Sequence, residues 1–379
     1  MIEWLGISHL FQLSGTEAIA GFFTPLAIFV AFFLAQIILP ARRVTGYVVN
    51  PETGEPRSYR LNGLLVYIIA LAVWAFELTG MPRDWFYRSA MYAIAGGTVF
   101  CLIFSLYALL SQPPGRIRNP FVAFWDGRAL ELPFLKGRFD VKMYLYVVGG
   151  TMLSLNALSG AAYHYDRFGA DFNPGVFLYA AFLTFYVVDY FIFERVQLYT
   201  YDLIHEHLGF KLIWGGLVIY GWIYILPLWG MAAYPNPGFS TAWTYVWLIG
   251  AAALFLTGWG ISRGANMQKY TFKRWPERKF LGFMEPRYIE AGERKILCSG
   301  LWGAARHFNY LGEGFLSFSI GLVFGYFANP WAWTYFVFIT SLFTWRQRVD
   351  EANCAEKYGE EKWNEYRSRV KYRILPGIY

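Results

Sequence analysis

The sequence predicts an all-α fold, a polytopic bundle of transmembrane helices. Three observations carry this reading. Apolar runs of about 20 residues, the length a helix needs to cross a bilayer, recur along the chain. Hydrophobic residues make up 56% of the sequence and charged residues only 16%, where a soluble domain has about 45–50% and about 25%. Lys and Arg gather in alternate loops, the pattern of a positive-inside bias. The 28 Tyr and 16 Trp fit the same picture, because their rings favour membrane interfaces and line apolar ligand cavities.

In chain order the candidate spans are 18–39, 63–79, 87–110, 143–164, 175–193, 212–233 and 242–261. After a polar stretch, 315–327 and 331–345 are shorter and suit a tilted hairpin. That makes nine candidates, with eight to ten compatible with the pattern. The first residues lack a basic region, so the run from Ala18 reads as a first span and not as a cleaved signal peptide. No Lys or Arg precedes Arg42, and the loops at 41–61, 112–142 and 262–295 hold most of them. Those loops belong in the cytoplasm, with the N-terminus outside. The net charge of +7 is therefore topological, and nucleic-acid binding is a poor reading of it. Cys101, Cys298 and Cys354 are far apart, and the five His are scattered. Neither a disulfide framework nor a metal site follows.

The two halves differ. Residues 1–136 read as N-terminal spans with ordinary polar loops. From 137 to 379, Asp140, Asp189, Glu194, Asp202 and Glu206 invade the spans or their edges. Charge in a bilayer is costly and marks either a functional cavity or an interhelical ion pair.

Three stretches concentrate chemistry. The first, RGANMQKYTFKR (263–274), directly follows a span and puts Asn266, Lys269 and Lys273 on one helical face. Two cations beside an amide suit a phosphate. Spacing alone favours an ordinary basic juxtamembrane stretch. The second, SGLWGAARHFNYLGEG (299–314), packs Arg306, His307, Asn309 and Tyr310 among glycines that allow close approach. The third is the tail from Arg346, where Arg346, Asp350 and Lys357 share helical spacing and the YRILPGIY ending looks docked.

Together these stretches resemble the sterol reductase family of ergosterol and cholesterol biosynthesis, which includes Δ14- and Δ7-sterol reductases and the lamin B receptor. The matching features are R-x-x-N-x-Q-K-x-x-F-K, S-G-x-W-G-x-x-R-H-x-N-Y-x-G, D-E-x-x-C-x-x-K-Y-G-x-x-x-W-x-x-Y and V-x-Y-R-I-x-P. Upstream, Asp189, Glu194, Thr200, Asp202, His205, Gly209 and Trp214 also fall at family positions, as does GRFDVK (137–142). The resemblance covers about 137–379. It implies an NADPH-dependent enzyme, embedded in a bacterial inner membrane or the endoplasmic reticulum, whose sterol substrate enters from the lipid. It implies cofactor contacts from Asn266, Lys269, Lys273, Trp302, Arg306, His307, Asn309, Tyr310, Arg346, Asp350, Lys357 and Tyr358. The implied reaction protonates an isolated C=C and then adds hydride. Asp202, Glu206 and Asp350 are the candidate acids, with a tyrosine relay as a variation.

The chain departs from the family at several points. Lys273 stands where Arg is usual, replacing a bidentate fork by a point charge. Trp214-Gly215-Gly216 lacks a carboxylate, and YGWIYILPLWG (220–230) replaces a usual pattern in the region expected to face the sterol. Glu206 and Glu313 replace Asp. RHFNY and the PGIY ending lean toward the Δ7 branch. Other readings are reduction of a Δ24(28) bond or a 3-oxo-Δ4 enone, a non-catalytic sterol-binding scaffold, and an isoprenylcysteine-type methyltransferase using S-adenosylmethionine.

Overall fold

The computed structural model describes residues 6–50, 54–112, 119–132, 135 and 138–379. The boundary expected at 136–137 lies outside the described residues. The chain forms two compact units, 1–237 and 238–379.

The first unit contains α1 (Gly15–Ile38), α2 (Gly63–Ala75), α3 (Ala90–Leu110), α4 (Val141–Phe168), α5 (Pro174–Ile192) and α6 (Phe210–Met231). The second contains α7 (Thr241–Arg274), α8 (Phe308–Leu322), α9 (Pro330–Tyr358) and α10 (Glu360–Arg369). Among the described residues, six helices are long and apolar enough to cross a membrane: α1, α3, α4, α5, α6 and α7. The fold is that of a helical integral membrane protein.

Three of the nine sequence runs depart from that standard. The run at 63–79 is helical only to Ala75, because Glu77 (φ 51°) and Gly80 (φ 74°) turn the backbone left-handed. The run at 315–327 belongs to α8, which starts seven residues earlier and has 15 residues. The run at 331–345 continues without a break into the polar tail as the 29-residue α9.

Two antiparallel hairpins occur, β1 (Arg42–Val49) with β2 (Pro56–Leu61) and β3 (Tyr288–Ala291) with β4 (Arg294–Leu297). They lie in basic loops and have no apolar alternation strong enough to stand out.

Helix starts follow local chemistry. Asn173 caps Gly175 N at 2.9 Å and Asn329 caps Trp331 N at 3.0 Å, each followed by Pro at the first helical position. Asn accepts from an otherwise orphaned N–H, and Pro has none to lose. The loop before α5 is pinned by His164, whose Nε2 accepts from Asn173 N at 2.7 Å. Its Nδ1–H then donates to Ala232 O at 2.9 Å.

α4 is the post of the first unit, buried along most of its length and packed on α5 and α6. Small residues let α6 approach it. A Cβ at Gly149 would collide with the carbonyl oxygen of Gly216. Backbone cannot yield as a side chain tip can, so Gly149→Ala should cost about 1–3 kcal/mol. Thermal unfolding in detergent should show a lowered midpoint, and an unchanged one would mean the helices separate freely.

Candidate active site

All twelve residues expected to contact a cofactor lie in the second unit. α7 and α8 pack through glycine: a Cβ at Gly258 would lie 2.7 Å from Gly312 O, and one at Gly312 would lie 2.5 Å from Ser262 N. This approach holds the first turn of α8, with Asn309 and Tyr310, against the helix that carries Asn266, Lys269 and Lys273. Gln268, buried on α7, clamps the turn between them. Its amide donates to Ser299 O at 3.2 Å and accepts from Leu301 N at 3.0 Å. Gly300 permits this, since at φ 61° any side chain there would strike Gln268. Trp302 donates to Ala265 O at 2.7 Å, and the Lys269 ammonium sits 4.7 Å above its ring.

α9 closes the cluster. Lys269, Lys273, Lys357 and Asp350 all act electrostatically on the Cys354 thiol, which places three cations and one carboxylate around that side chain. Burial, Lys269 and Arg294 together push the Lys357 ammonium below its usual range. A bound anion would relieve that repulsion. Tyr310 donates to Asp350 Oδ2 at 2.5 Å and stacks between His307 and Phe343, with ring centroids 5.2 and 4.3 Å away. Asn309 Oδ1 is buried without a partner. Tyr358 stacks on Trp363 over the apolar cluster that supports β3 and β4. Asn266, a turn before Lys269, and Arg346, a turn before Asp350, are half-buried on the same two helices.

Arg306 has a different setting. Its guanidinium is buried and donates to Glu351 Oε1 at 2.6 Å and to the carbonyls of Val370 and Lys371 at 2.7 and 2.9 Å. Its own N–H donates to Tyr372 O, and that of His307 to Arg373 O. This pair ties the tail to the start of α8.

Burial alone would raise the Glu351 carboxyl, but His307, Arg306 and Arg373 outweigh it and hold it at about 2. A depressed carboxyl stabilises the fold above its unfolded value of about 4.3 and loses that contribution as pH falls toward 2. Wild type should therefore lose thermal stability between about pH 4.5 and pH 2. Glu351→Gln should be less stable at pH 7 and show a flatter acid limb.

The candidate acids of the first unit are set differently. Asp202 Oδ2 accepts from Tyr146 OH at 2.8 Å. The buried Lys142 ammonium donates to the backbone carbonyls of Asp202 and Leu203, both at 3.1 Å. Tyr146 lies among Tyr190 and Tyr220, with ring centroids 6.2 and 6.4 Å away, and the buried Tyr190 hydroxyl has no partner. Tyr220 belongs to a π-helical stretch of α6, Gly215–Ile223, where widened turns often mark functional sites. Glu206 instead pairs with Lys211 at 3.0 Å, and Lys211 also holds Asp126 at 3.1 Å. Glu194 accepts from Gly63 N at 3.3 Å and serves the start of α2. Sequence reasoning missed Tyr146, Tyr190, Gln268 and Glu351. The tyrosines lie within or beside apolar runs that gave no sign of a site.

The sequence profile of the Ergosterol biosynthesis ERG4/ERG24 family matches residues 7–379. The Delta(14)-sterol reductase of Methylotuvimicrobium alcaliphilum is 33% identical over 93% of this chain and 82% of its own length. The Delta(14)-sterol reductase of Arabidopsis thaliana is 30% identical over 93% and 94%. The 7-dehydrocholesterol reductase of the same plant is 28% identical over 91% and 82%. With the profile matching nearly the whole length and the motifs falling within it, the chain belongs to the Ergosterol biosynthesis ERG4/ERG24 family.

Proposed function

We propose that the protein reduces a sterol C=C bond, Δ14 or Δ7, with NADPH as reductant. The relatives named for Delta(14)-sterol and 7-dehydrocholesterol reduction support the reaction class. The observation that carries the cofactor reading is the Lys269 ammonium over the Trp302 ring, with Lys273 and Lys357 acting on the same Cys354 thiol as Lys269. Their charges fit phosphate groups, and the unpartnered Asn309 amide oxygen fits a polar donor such as a carboxamide. Asn266, Tyr310, Arg346 and Tyr358 complete the proposed wall, and Arg306 and His307 act by fixing the tail that bears it. When bound, NADPH supplies hydride.

The chain's own part is to bind, protonate and shield. An isolated alkene accepts hydride only after protonation at one carbon, so the site needs an acid and an environment tolerant of a carbocation on the sterol. Asp202 with Tyr146 fits this role best. Its surroundings are aromatic, and ring faces attract cations. Asp350 accepts from Tyr310 and shares the surroundings of Cys354 with three lysines, which suits positioning better than proton donation. Glu206 is engaged in an ion pair with Lys211 at 3.0 Å. We also propose that α2 and the α8–α9 pair add crossings to the six long helices.

The test is incubation of purified protein with NADPH and Δ7, Δ14, Δ24 and Δ24(28) sterols, with products read by gas chromatography–mass spectrometry. A product two mass units heavier from the Δ14 or Δ7 substrate supports the reading and names the bond. Conversion of no sterol, together with no NADPH binding by calorimetry, would overturn it.

A further inference from the structure

The second unit holds a cavity of about 580 Å³ apart from the lysine cluster. Arg306, Arg367, Lys371 and Arg373 line it, with Asn364 and Ser368 between them. Glu351 neutralises part of this charge, through Arg306 at 2.6 Å and Arg373 at 3.5 Å. Among the described residues Arg367 bonds only to the neutral Asn364 Oδ1, at 3.3 Å, and Lys371 is exposed. The cavity thus keeps a positive excess with serine and asparagine beside it, the chemistry that receives a phosphate.

Its position narrows the source. Tyr379 completes the lining, and its hydroxyl accepts from Gln347 Nε2 at 3.1 Å and from Arg373 at 3.0 Å. That bond sets the C-terminal turn beside α9 two residues after Trp345, the end of the helix's apolar run. Trp345 is 62% exposed, and along the turn Tyr372, Leu375 and Ile378 are exposed too, Ile378 at 81%. Cations flanked by exposed aromatic and aliphatic side chains, where an apolar helix turns polar, match the headgroup layer of a bilayer. This placement rests on the apolar run of α9 lying in the membrane.

We propose that this cavity binds the phosphodiester headgroup of an anionic phospholipid, with Leu375 and Ile378 against the acyl boundary. Arg367 and Lys371 contact the phosphate, and Arg306 and Arg373 form the floor. The lipid then braces the tail that carries Asp350 and Lys357.

Native mass spectrometry of the full chain in detergent tests this. The ligands are phosphatidylglycerol, phosphatidylcholine and the soluble probe glycerol 1-phosphate. Arg367→Gln with Lys371→Gln should weaken phosphatidylglycerol binding about 30-fold, two basic residues at their usual worth near a membrane surface. Phosphatidylcholine has the same phosphodiester but brings a trimethylammonium among the cavity's cations, so the wild type should bind it more weakly than phosphatidylglycerol. Arg42→Gln with Arg43→Gln, which removes equal exposed charge elsewhere, should leave phosphatidylglycerol binding within twofold. Leu375→Ser with Ile378→Ser should weaken the lipid and spare the soluble probe. Equal phosphatidylglycerol retention by the Arg367/Lys371 variant would overturn the proposal. So would glycerol 1-phosphate binding as tightly as the lipid, which would identify a site for a soluble phosphate.

Discussion

Asp202→Asn should lower the rate of sterol reduction by about 10²–10⁴-fold, the range that a positioned general acid contributes. The amide keeps the size of the side chain and its capacity to accept from Tyr146, so the fold around Lys142 and Leu203 should persist. NADPH affinity should stay within twofold, because the residues proposed to bind it lie in the other unit. Tyr146→Phe should also slow turnover, since it removes the hydroxyl bonded to the carboxylate. The distinguishing observable is single-turnover reduction followed by nicotinamide absorbance with cofactor saturating. If Asp202→Asn retains full single-turnover rate while Asp350→Asn loses it, the proton comes from the Tyr310–Asp350 pair instead.

The second large effect concerns Lys269 and Lys273. Truncating both to Ala should weaken NADPH binding by about 10- to 100-fold per lysine, since a hydrogen bond to a charged group is worth about 1.5–3 kcal/mol. Lys269 also covers the Trp302 ring, so its loss should change Trp302 fluorescence in the free protein. Calorimetry with NADPH and NADH separates two versions of this role. Loss confined to NADPH assigns the lysines to the extra phosphate, and equal loss assigns them to the shared diphosphate. Unchanged affinity for both would remove them from the cofactor site. Lys273→Arg, restoring the fork that the family usually has, should sharpen the preference for NADPH.

Much of the architecture was legible because hydrophobicity is a local property. The runs at 18–39 and 87–110 became α1 and α3 with small changes at their ends. The hairpins were not legible, because short polar strands leave no periodic trace. Within the site, spacing showed that Lys269 and Lys273 share a face, and that Arg346, Asp350 and Lys357 share a helix. It could not show that the two helices converge on Cys354, which depends on glycine contacts between α7 and α8. Arg306 illustrates the limit best. Its motif suggested a ligand contact, yet its donors meet Glu351 and two tail carbonyls far along the chain. Tyr146 gave no signal at all, because a tyrosine inside an apolar run reads as core until its neighbour across the bundle is known.

The central claim, reduction by protonation from the protein followed by hydride from NADPH, is tested most directly by one turnover in D₂O with unlabelled NADPH and the accepted sterol. Mass spectrometry of the product should find one deuterium on one of the two reduced carbons, delivered through an exchangeable acid. The other carbon should carry the cofactor's unlabelled hydrogen. A product with no deuterium, with two, or no product would contradict the account.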